Sequence, residues 1–529
     1  MSEFEARFSE RKQHFLESAS NEDLMKRHNE YTIELRRKKR NQHLAKRRAL
    51  ISGSTNNLDF DGDEILVFGE ISEELLAYCP DLNNENLDDL SKLAIIKKAI
   101  DSDPPQDILL HAIWTVRNII SMKHGPPIGA FLNLGYGETL IKLLSYDYGL
   151  RIPLEASWAL CNLVSGPHEY VESLVRSDII PALLKLTCPE CPSVAEHTLW
   201  ALSNISGDCH EYRQVLINSS YIELLQEMIT RTRNISNVLI KVISWCVSNL
   251  SRGSDYIPYE KLQRIIDIIN QLIVIDDHDI HSECLWALAY ISKNENEKVQ
   301  MVLDSGYITF IIDGLKANSE SIVSACVRLV CNISSGTDSQ TQKILDENIL
   351  DLLQNLMQSD NDLMVKEIYM AISNFAGGSI SQVKILADHP IFKLSFQGLI
   401  HRSQEVRIEA SHIFKNFCLV GRNEKLQLKL IELNFHEILQ RCFEESDATF
   451  LLNILSVCRL LLEAGNDESE NKITKLFEEA GIAEEIEKLD KNMNSKIYSE
   501  STQIIETYFL SSGIEPDIST MKVESFKII

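Results

Sequence analysis

All five tryptophans of this chain recur at a nearly constant interval. The steps from Trp114 through Trp158, Trp200 and Trp245 to Trp286 are 44, 42, 45 and 41 residues. Intervals of this length fall within the range of about 40 to 47 residues that helical repeat units occupy. We therefore predict an array of repeats rather than a string of separate globular domains.

A second residue type keeps the same period. Asn stands four residues after four of the tryptophans, and Tyr290 stands four residues after Trp286. The register then continues without tryptophan. The positions in register, called the ladder positions below, are Trp114 with Asn118, Trp158 with Asn162, Trp200 with Asn204, Trp245 with Asn249, Trp286 with Tyr290, Arg328 with Asn332, Met370 with Asn374, His412 with Asn416, and Arg459.

The segments that carry the ladder positions have the apolar periodicity of helices, as in EASWALCNLVSG and ACVRLVCNISSG, and breaker residues separate them. With 21 Gly and 13 Pro, the chain has too few turn-forming residues for an all-β fold. We predict an all-α fold, a right-handed superhelix of about ten armadillo-type repeats over residues 72–510. Residues 511–529 lack periodicity and are predicted to form a disordered tail.

Charge is divided unevenly between the N-terminal segment and the rest of the chain. Residues 1–50 carry 13 Lys and Arg against 8 Asp and Glu, whereas the remaining residues carry 39 against 69. A strongly acidic body repels nucleic acid and attracts basic peptides. We predict a basic N-terminal arm over residues 1–57, mostly disordered or helical, followed by an acidic linker over residues 58–71.

The ladder positions predict a surface for an extended peptide. Residues four apart share a helix face, so each indole projects together with its Asn amide. The amide can bond a peptide main chain, and each indole face can attract a cationic side chain by about 0.5 to 2 kcal/mol. A core role is the alternative, but a buried Asn without partners in every repeat would be costly. The carboxylates placed to select basic side chains are Glu155, Glu196, Asp208, Glu283, Glu367 and Glu409.

On these residues the sequence resembles the importin α family, the adaptors for nuclear localisation signals. The resemblance covers almost the whole chain and implies two peptide sites. The implied major site comprises Trp158, Asn162, Trp200, Asn204, Asp208, Trp245 and Asn249. The implied minor site comprises Trp286, Tyr290, Arg328, Asn332, Glu367, Asn374, Glu409 and Asn416. By analogy, Asp208 would pair with the key lysine of the cargo.

Four positions depart from the family pattern. Val171 stands in place of a threonine that lines the key lysine pocket, and Val242 stands in place of an Asn three residues before Trp245. Met370 and His412 replace the two tryptophans of the minor site. The implied consequences are an altered preference at the major site and a weakened minor site, because Met is apolar and neutral His offers a weaker ring face.

The arm resembles the importin-β-binding segment in order and spacing. The basic residues that carry this resemblance are Lys26, Arg27, Arg36, Arg37, Lys38, Lys39, Arg40, Lys46, Arg47 and Arg48, with no acidic residue between Arg36 and Arg48. A solvated or nucleic-acid-binding charge run is the alternative, but the acidic body in the same chain is a ready competitor. Lys46, Arg47 and Arg48 resemble a cargo signal and are predicted to occupy the major site when importin β is absent.

The function that the resemblance implies is nuclear import, with shuttling between cytoplasm and nucleus. The implied partners are importin β, cargo proteins with basic nuclear localisation signals, a recycling exportin near Arg459 and residues 498–509, and possible contacts with nuclear pore components. An armadillo scaffold of adhesion or signalling is the alternative. Such a scaffold predicts a basic groove for acidic partners and lacks the Trp and Asn ladder.

The remaining signals predict no catalysis, cofactor or metal. Cys188 and Cys191 have the CxxC spacing of zinc ligands, but no second pair follows. We find no run of about eighteen apolar residues and no apolar N-terminal leader, and so expect neither membrane insertion nor secretion. The cysteines are then expected to be free, buried thiols in a reducing compartment.

Overall fold

The computed structural model of the chain describes residues 71–84, 87–121, 128–232, 235–422, 425–465 and 472–509. These residues fall into two compact units, a first that ends at Lys293 and a second that begins at Asn294. The predicted basic arm, nearly all of the predicted linker and the predicted tail lie outside the described residues.

The first unit is built from helices joined by short turns. Its α-helices are α1 (Glu73–Tyr78), α2 (Asp89–Asp101), α3 (Gln106–Ile120), α4 (Ile128–Asn133), α5 (Tyr136–Lys142), α6 (Arg151–Leu163), α7 (His168–Arg176), α8 (Ile179–Leu186), α9 (Pro192–Asp208), α10 (His210–Asn218), α11 (Tyr221–Arg231), α12 (Asn237–Ser251), α13 (Tyr259–Leu272) and α14 (His278–Ile291). Short 3-10 helices lie at Pro80–Asn83, Tyr146–Tyr148 and Ser254–Tyr256.

The second unit repeats the same arrangement. Its α-helices are α15 (Asn296–Asp304), α16 (Ile308–Leu315), α17 (Glu320–Ser334), α18 (Asp338–Leu345), α19 (Ile349–Leu356), α20 (Asp362–Ala376), α21 (Ile380–Asp388), α22 (Pro390–Leu394), α23 (Gln404–Gly421), α24 (Leu428–Glu432), α25 (His436–Leu439), α26 (Ala448–Gly465), α27 (Lys472–Glu479), α28 (Ile482–Lys488) and α29 (Ser495–Tyr508). Short 3-10 helices lie at Ser395–Ile400, Gln440–Glu444 and Leu489–Lys491.

One long helix in each repeat carries the ladder positions. These ladder helices are α3, α6, α9, α12 and α14 in the first unit and α17, α20, α23 and α26 in the second. Within each unit, every ladder helix packs against the next one along the chain. The described part of the chain contains no strand, which confirms the all-α prediction.

A turn residue in the left-handed region precedes the second short helix of several repeats. Its φ angle is 77° at Gly135, 62° at Asp178, 81° at Gly306, 54° at Asn348 and 70° at Gly481. Glycine adopts this conformation without steric cost, and Asp and Asn tolerate it better than other residues do. The turn therefore recurs because the residue types that permit it recur with the repeat.

Helix α26 has an unusually apolar composition. By length and composition alone it could cross a membrane, since its 18 residues have a mean hydropathy of 1.5. The sequence analysis expected no apolar run of about eighteen residues and therefore missed this helix. Inside the unit, however, 61% of the segment is buried, and it packs against α23 and α29. Core helices of repeat proteins meet the same composition test, and α26 occupies the place of a ladder helix.

Hydrogen bonds from Asn side chains link neighbouring ladder helices. In each, the Nδ2 group of a ladder Asn donates to the Oγ atom of a Ser in the preceding repeat. The bonds run from Asn162 to Ser121 at 2.8 Å, from Asn249 to Ser203 at 3.0 Å, from Asn374 to Ser334 at 3.1 Å and from Asn416 to Ser373 at 3.1 Å. The same polar contact thus recurs in both units.

Removing one of these bonds is expected to destabilise the array. Asn249 is 5% exposed and donates to both the carbonyl oxygen and the hydroxyl of Ser203, at 3.0 Å each. Asn249→Ala leaves those acceptors buried without this donor, so we expect a loss of about 1 to 3 kcal/mol in the free energy of unfolding, measured by chemical denaturation. The matched control is Asn218→Ala at the exposed end of α10, expected to change stability by about 0.5 kcal/mol or less. Equal effects of the two substitutions would contradict a structural role for the ladder Asn.

Candidate peptide-binding site

The five tryptophans lie in the ladder helices of the first unit, but their surroundings differ. Trp114, Trp158 and Trp200 are half-buried, whereas Trp245 and Trp286 are 3% and 2% exposed. The rings of Trp200 and Trp245 meet edge to face, with centroids 5.4 Å apart and an interplanar angle of 65°. Such aromatic pairs are favourable beyond their buried area and hold both rings in fixed orientations.

An arginine of the chain itself occupies the first indole slot. The guanidinium carbon of Arg117 lies 4.2 Å from the ring centroid of Trp158 and 5.6 Å from that of Trp114. Arg117 also donates from Nε to a carboxylate oxygen of Glu155 and from a terminal nitrogen to Oδ1 of Asn118, both at 2.6 Å. The indole, carboxylate and amide of a ladder step can therefore bind one cationic side chain together.

The prediction of an exposed row of amides is wrong for several positions. Asn162 and Asn249 are each 5% exposed, Asn332 is 1% exposed and Asn374 is 2% exposed. The physical reason at three of these positions is the bond to Ser in the neighbouring repeat, which engages the Nδ2 donor of the amide inside the fold. These buried Asn residues have partners, so the cost on which the prediction of exposure rested does not arise. The half-buried members of the row are Asn118, Asn204 and Asn416.

Two of the carboxylates predicted to select basic side chains form ion pairs with arginines of the preceding repeat. Glu155 binds Arg117, as described above, and in the second unit Glu367 forms an ion pair with Arg328. Side-chain exposure in the second pair is 3% for Glu367 and 4% for Arg328. A permanently charged guanidinium at each of these carboxylates supplies the counter-charge within the fold.

Asp208 instead contacts a histidine. It is the last residue of α9, and its Oδ2 lies 2.6 Å from Nδ1 of His168, the first residue of α7. The ring of His168 stacks on Tyr212 with centroids 5.9 Å apart. The hydrogen bond and charge of Asp208 raise the pKa of His168 above its ordinary value.

Cys209 completes a small cluster with this pair. The donor atoms of His168, Asp208 and Cys209 lie within 4.8 Å of one another. The imidazole and the carboxylate are already bonded to each other, and burial raises the pKa of the Cys209 thiol, which disfavours the thiolate that metals require. We therefore do not assign a metal site to these residues.

The second unit holds most of the residues of the implied minor site. Trp286 and Tyr290 belong to the first unit, with ring centroids 6.0 Å apart. In the second unit, Met370 and His412 occupy the ladder positions of α20 and α23 and are 1% and 9% exposed. Glu409, in α23, is 2% exposed. A thioether and an imidazole thus stand at the helix positions where the resemblance implies indoles.

The two valines that depart from the family pattern in the major site are both fully buried. Val171 lies in α7, three residues after His168, and Val242 lies in α12, three residues before Trp245. Neither side chain can donate or accept a hydrogen bond. Any polar contact that threonine or Asn would make at these positions is therefore absent from this chain.

The sequence analysis missed three residues that contact the site. Arg117 fills the first slot, His168 bonds Asp208, and His197 places its ring 4.9 Å from that of Trp158. The sequence carries a signal for two of them, Arg117 and His168. Glu155 is 38 residues after Arg117 and Asp208 is 40 residues after His168, so a search for opposite charges one repeat apart finds both pairs.

The basic residues of the arm lie outside the described residues, and their predicted roles stay predictions. This holds for the importin-β-binding and autoinhibitory positions Lys26, Arg27, Arg36, Arg37, Lys38, Lys39, Arg40, Lys46, Arg47 and Arg48.

Three family models match the sequence. The importin beta binding domain matches residues 11–109, the armadillo/beta-catenin-like repeat matches residues 167–207, and the atypical Arm repeat matches residues 471–522. The first match covers the predicted basic arm from residue 11 onward and reaches into α3. The repeat matches confirm the armadillo type of the helical array.

The curated relatives are importin subunits. The chain is 32% identical over 234 residues to importin subunit alpha-4 of Arabidopsis thaliana, covering 44% of this chain and 43% of the relative. It is 27% identical over 302 residues to importin subunit alpha-3 of the same plant, covering 57% and 53%. The chain therefore spans about half the length of the curated relatives it matches.

Among solved structures, the crystal structure of an engineered protein superimposes with a TM-score of 0.67 at 21% identity, covering 79% of this chain and 98% of that chain. This likeness supports the fold. The importin-beta-binding match, the armadillo matches and the importin subunits of several species together support a relationship to the importin α family.

Proposed function

We propose that the chain is a nuclear import adaptor that binds Lys- and Arg-rich nuclear localisation signals along its ladder helices and joins them to importin β through its N-terminal arm. The observation that carries the proposal is the importin beta binding domain match at residues 11–109, ahead of an armadillo array with a Trp and Asn ladder. Importin β and basic cargo follow as partners, and shuttling between cytoplasm and nucleus follows as the localisation.

The contacts that Arg117 makes with Trp158, Glu155 and Asn118 support the choice of a basic ligand. One cationic side chain there satisfies an indole face at 4.2 Å, a carboxylate at 2.6 Å and an Asn amide oxygen at 2.6 Å. The proposed major site offers the same three kinds of group around Trp200, Asn204 and Asp208. A lysine or arginine of an extended peptide would find there the cation–π and charge-assisted contacts that Arg117 makes.

The buried ladder Asn residues are compatible with this proposal if they contact the peptide through the acceptor oxygen of the amide only. The side-chain Nδ2 group of Asn249 donates to two oxygens of Ser203 inside the fold, and the side-chain carbonyl oxygen is not part of those bonds. A peptide main chain could therefore meet the acceptor side of such an amide, with Asn204 offering a less buried amide beside it. In this arrangement the residues that join the repeats also present groups to the peptide.

Recycling of the adaptor by an exportin is proposed from the family resemblance. An exportin would contact the last repeats, where Arg459 bonds Glu500 and Glu463 at 2.7 Å each. Nuclear pore components are possible further partners. We propose no enzymatic activity, no cofactor, no membrane insertion and no direct binding of nucleic acid.

An armadillo scaffold of adhesion or signalling remains the alternative class. It would favour acidic partners on a basic groove, whereas the chain carries a formal net charge of −25. A binding comparison of a Lys-rich and a Glu-rich peptide distinguishes the two classes. Preference for the Glu-rich peptide would support the scaffold.

The arm is expected to compete with cargo. Deleting residues 1–57 should tighten the binding of a Lys-rich peptide by about tenfold or more, because a tethered competitor acts at high effective concentration. Fluorescence anisotropy of a labelled peptide measures the difference, with and without importin β. The matched variant keeps the arm but replaces Lys46, Arg47 and Arg48 with Ala, and it should bind the peptide about as tightly as the deletion does. Equal affinities of the intact and shortened chains would exclude autoinhibition.

The major site is expected to dominate cargo binding. Asp208→Lys should lower the affinity for a two-cluster basic peptide by more than tenfold, about 1.4 kcal/mol. Glu409→Arg should cost less, because the minor site lacks two indoles that would each contribute about 0.5 to 2 kcal/mol. Peptides with one and two basic clusters are compared by anisotropy.

The control for charge reversal is Asp313→Lys, since the Asp313 side chain is 72% exposed in α16 and away from the ladder positions. Glu409→Gln is measured as well, because Glu409 is buried and the larger change could disturb packing. If Glu409→Arg costs the two-cluster peptide as much as Asp208→Lys does, the proposed asymmetry is absent.

A further inference from the structure

Three carboxylates beside the ladder are held by cations of two different kinds. Arg117 holds Glu155 and Arg328 holds Glu367, and an arginine in a protein keeps its charge at every physiological pH. Asp208 is held by His168, whose charge changes near neutrality. The counter-charge at Asp208 is therefore conditional, whereas at the other two carboxylates it is permanent.

The local geometry favours a cation at Asp208. Its carboxylate lies at the C-terminal end of α9, where the helix dipole is negative and a second negative charge is unfavourable. His168 approaches from the N-terminus of α7 and remains accessible, since its side chain is 56% exposed while that of Asp208 is 14% exposed. A ligand can thus displace the imidazole without disturbing the core.

We propose that His168 is an internal competitor for Asp208, so that the key lysine of a cargo peptide must displace a protonated imidazole, and that it makes cargo affinity at the major site depend on pH. This inference rests on the proposed function, in which Asp208 receives a cargo lysine. It adds His168 to the residues that determine affinity at the site.

The charges around His168 set the direction of the effect. Asp208 faces it from α9, Glu211 and Tyr212 face it from α10, and Glu172 lies on its own helix. The three carboxylates all raise the pKa of His168, Asp208 most strongly. A cation also lies at the end of α9, where Arg252 donates to the carbonyl oxygen of Gly207 at 3.4 Å.

The raised pKa of His168 determines whether cargo affinity rises or falls with pH. At a pH below this pKa, the His168 imidazolium and the Asp208 carboxylate form an ion pair, and a cargo lysine must break that pair. As the pH rises through it, the imidazole becomes neutral and competes less well, so cargo affinity rises. The lysine of the cargo peptide has an ordinary pKa near 10.4, so it stays charged throughout the range from about pH 6 to 8.5.

The test measures the affinity of a one-cluster Lys-rich peptide between pH 6 and 8.5 for the full chain saturated with importin β, which removes the arm as a second competitor. EDTA is present throughout, so metal ions have no part in the result. The wild-type affinity is expected to increase by about two- to fivefold from pH 6 to 8.5, a size suited to an exposed ion pair. His168→Ala should bind as tightly at pH 6 as at pH 8.5, and His168→Arg should bind weakly at both.

The matched control is His210→Ala. His210 is exposed and lies two residues after Asp208, with its ring 4.6 Å from that of Tyr256. This variant should keep the pH dependence of the wild type. If His168→Ala also keeps it while Asp208→Lys abolishes binding, His168 is not a competitor although the proposed function stands. If the wild-type complex binds no basic peptide at any pH, the proposed function fails and this inference fails with it.

Discussion

No repeat of this chain can bury its apolar surface alone, so within each unit every ladder helix packs against the next. A repeat of roughly 42 residues has too small a core to be stable by itself, and its stability comes from the interface with the neighbouring repeat. The Asn to Ser hydrogen bonds cross that interface at Asn162, Asn249, Asn374 and Asn416. They align the helices and satisfy polar groups that would otherwise be buried at a cost. Placement of the indoles and carboxylates depends on this alignment.

The same stacking brings opposite charges together across neighbouring repeats. Arg117 meets Glu155, His168 meets Asp208 and Arg328 meets Glu367, each pair about one repeat apart in the sequence. An acidic array that binds basic peptides would repel itself if every carboxylate lacked a counter-charge. Internal cations relieve that repulsion. Each of these cations also reduces the negative charge that is available to a basic ligand. The acidity of the whole chain is therefore a poor guide to the acidity of any single pocket.

Much of the fold could be predicted from the sequence, because its period is carried by rare residues. Five tryptophans and the Asn residues four positions later mark the ladder helices, and the structure places every one of these positions in a helix. The left-handed turns at Asp178 and Asn348 were not predicted, since neither residue type requires that conformation.

The site was harder to predict than the fold. Periodicity shows which residues share a helix face, but it does not show how much of that face the next repeat covers. Asn332 and Asn374 are consequently buried where exposure was expected. The roles of Arg117 and His168 depend on a neighbour 38 or 40 residues away, and a reading limited to one helix at a time cannot detect them. The apolar helix α26 was missed for a related reason, because Arg459 and Glu463 interrupt its sequence while its interior positions remain strongly apolar.

The hydrogen bonds between repeats have a consequence for how the chain assembles. Each bond joins residues separated by 40 to 46 positions, so the contacts that define the array are local on the scale of the whole chain. Folding of such an array can begin at any interface and spread to either side, with a low entropic cost for each added repeat. Cooperativity then extends mainly between nearest neighbours, and a weakened interface can open while distant ones stay closed. The interfaces between neighbouring repeats are thus thermodynamically coupled, but the stability of each interface can change separately during evolution.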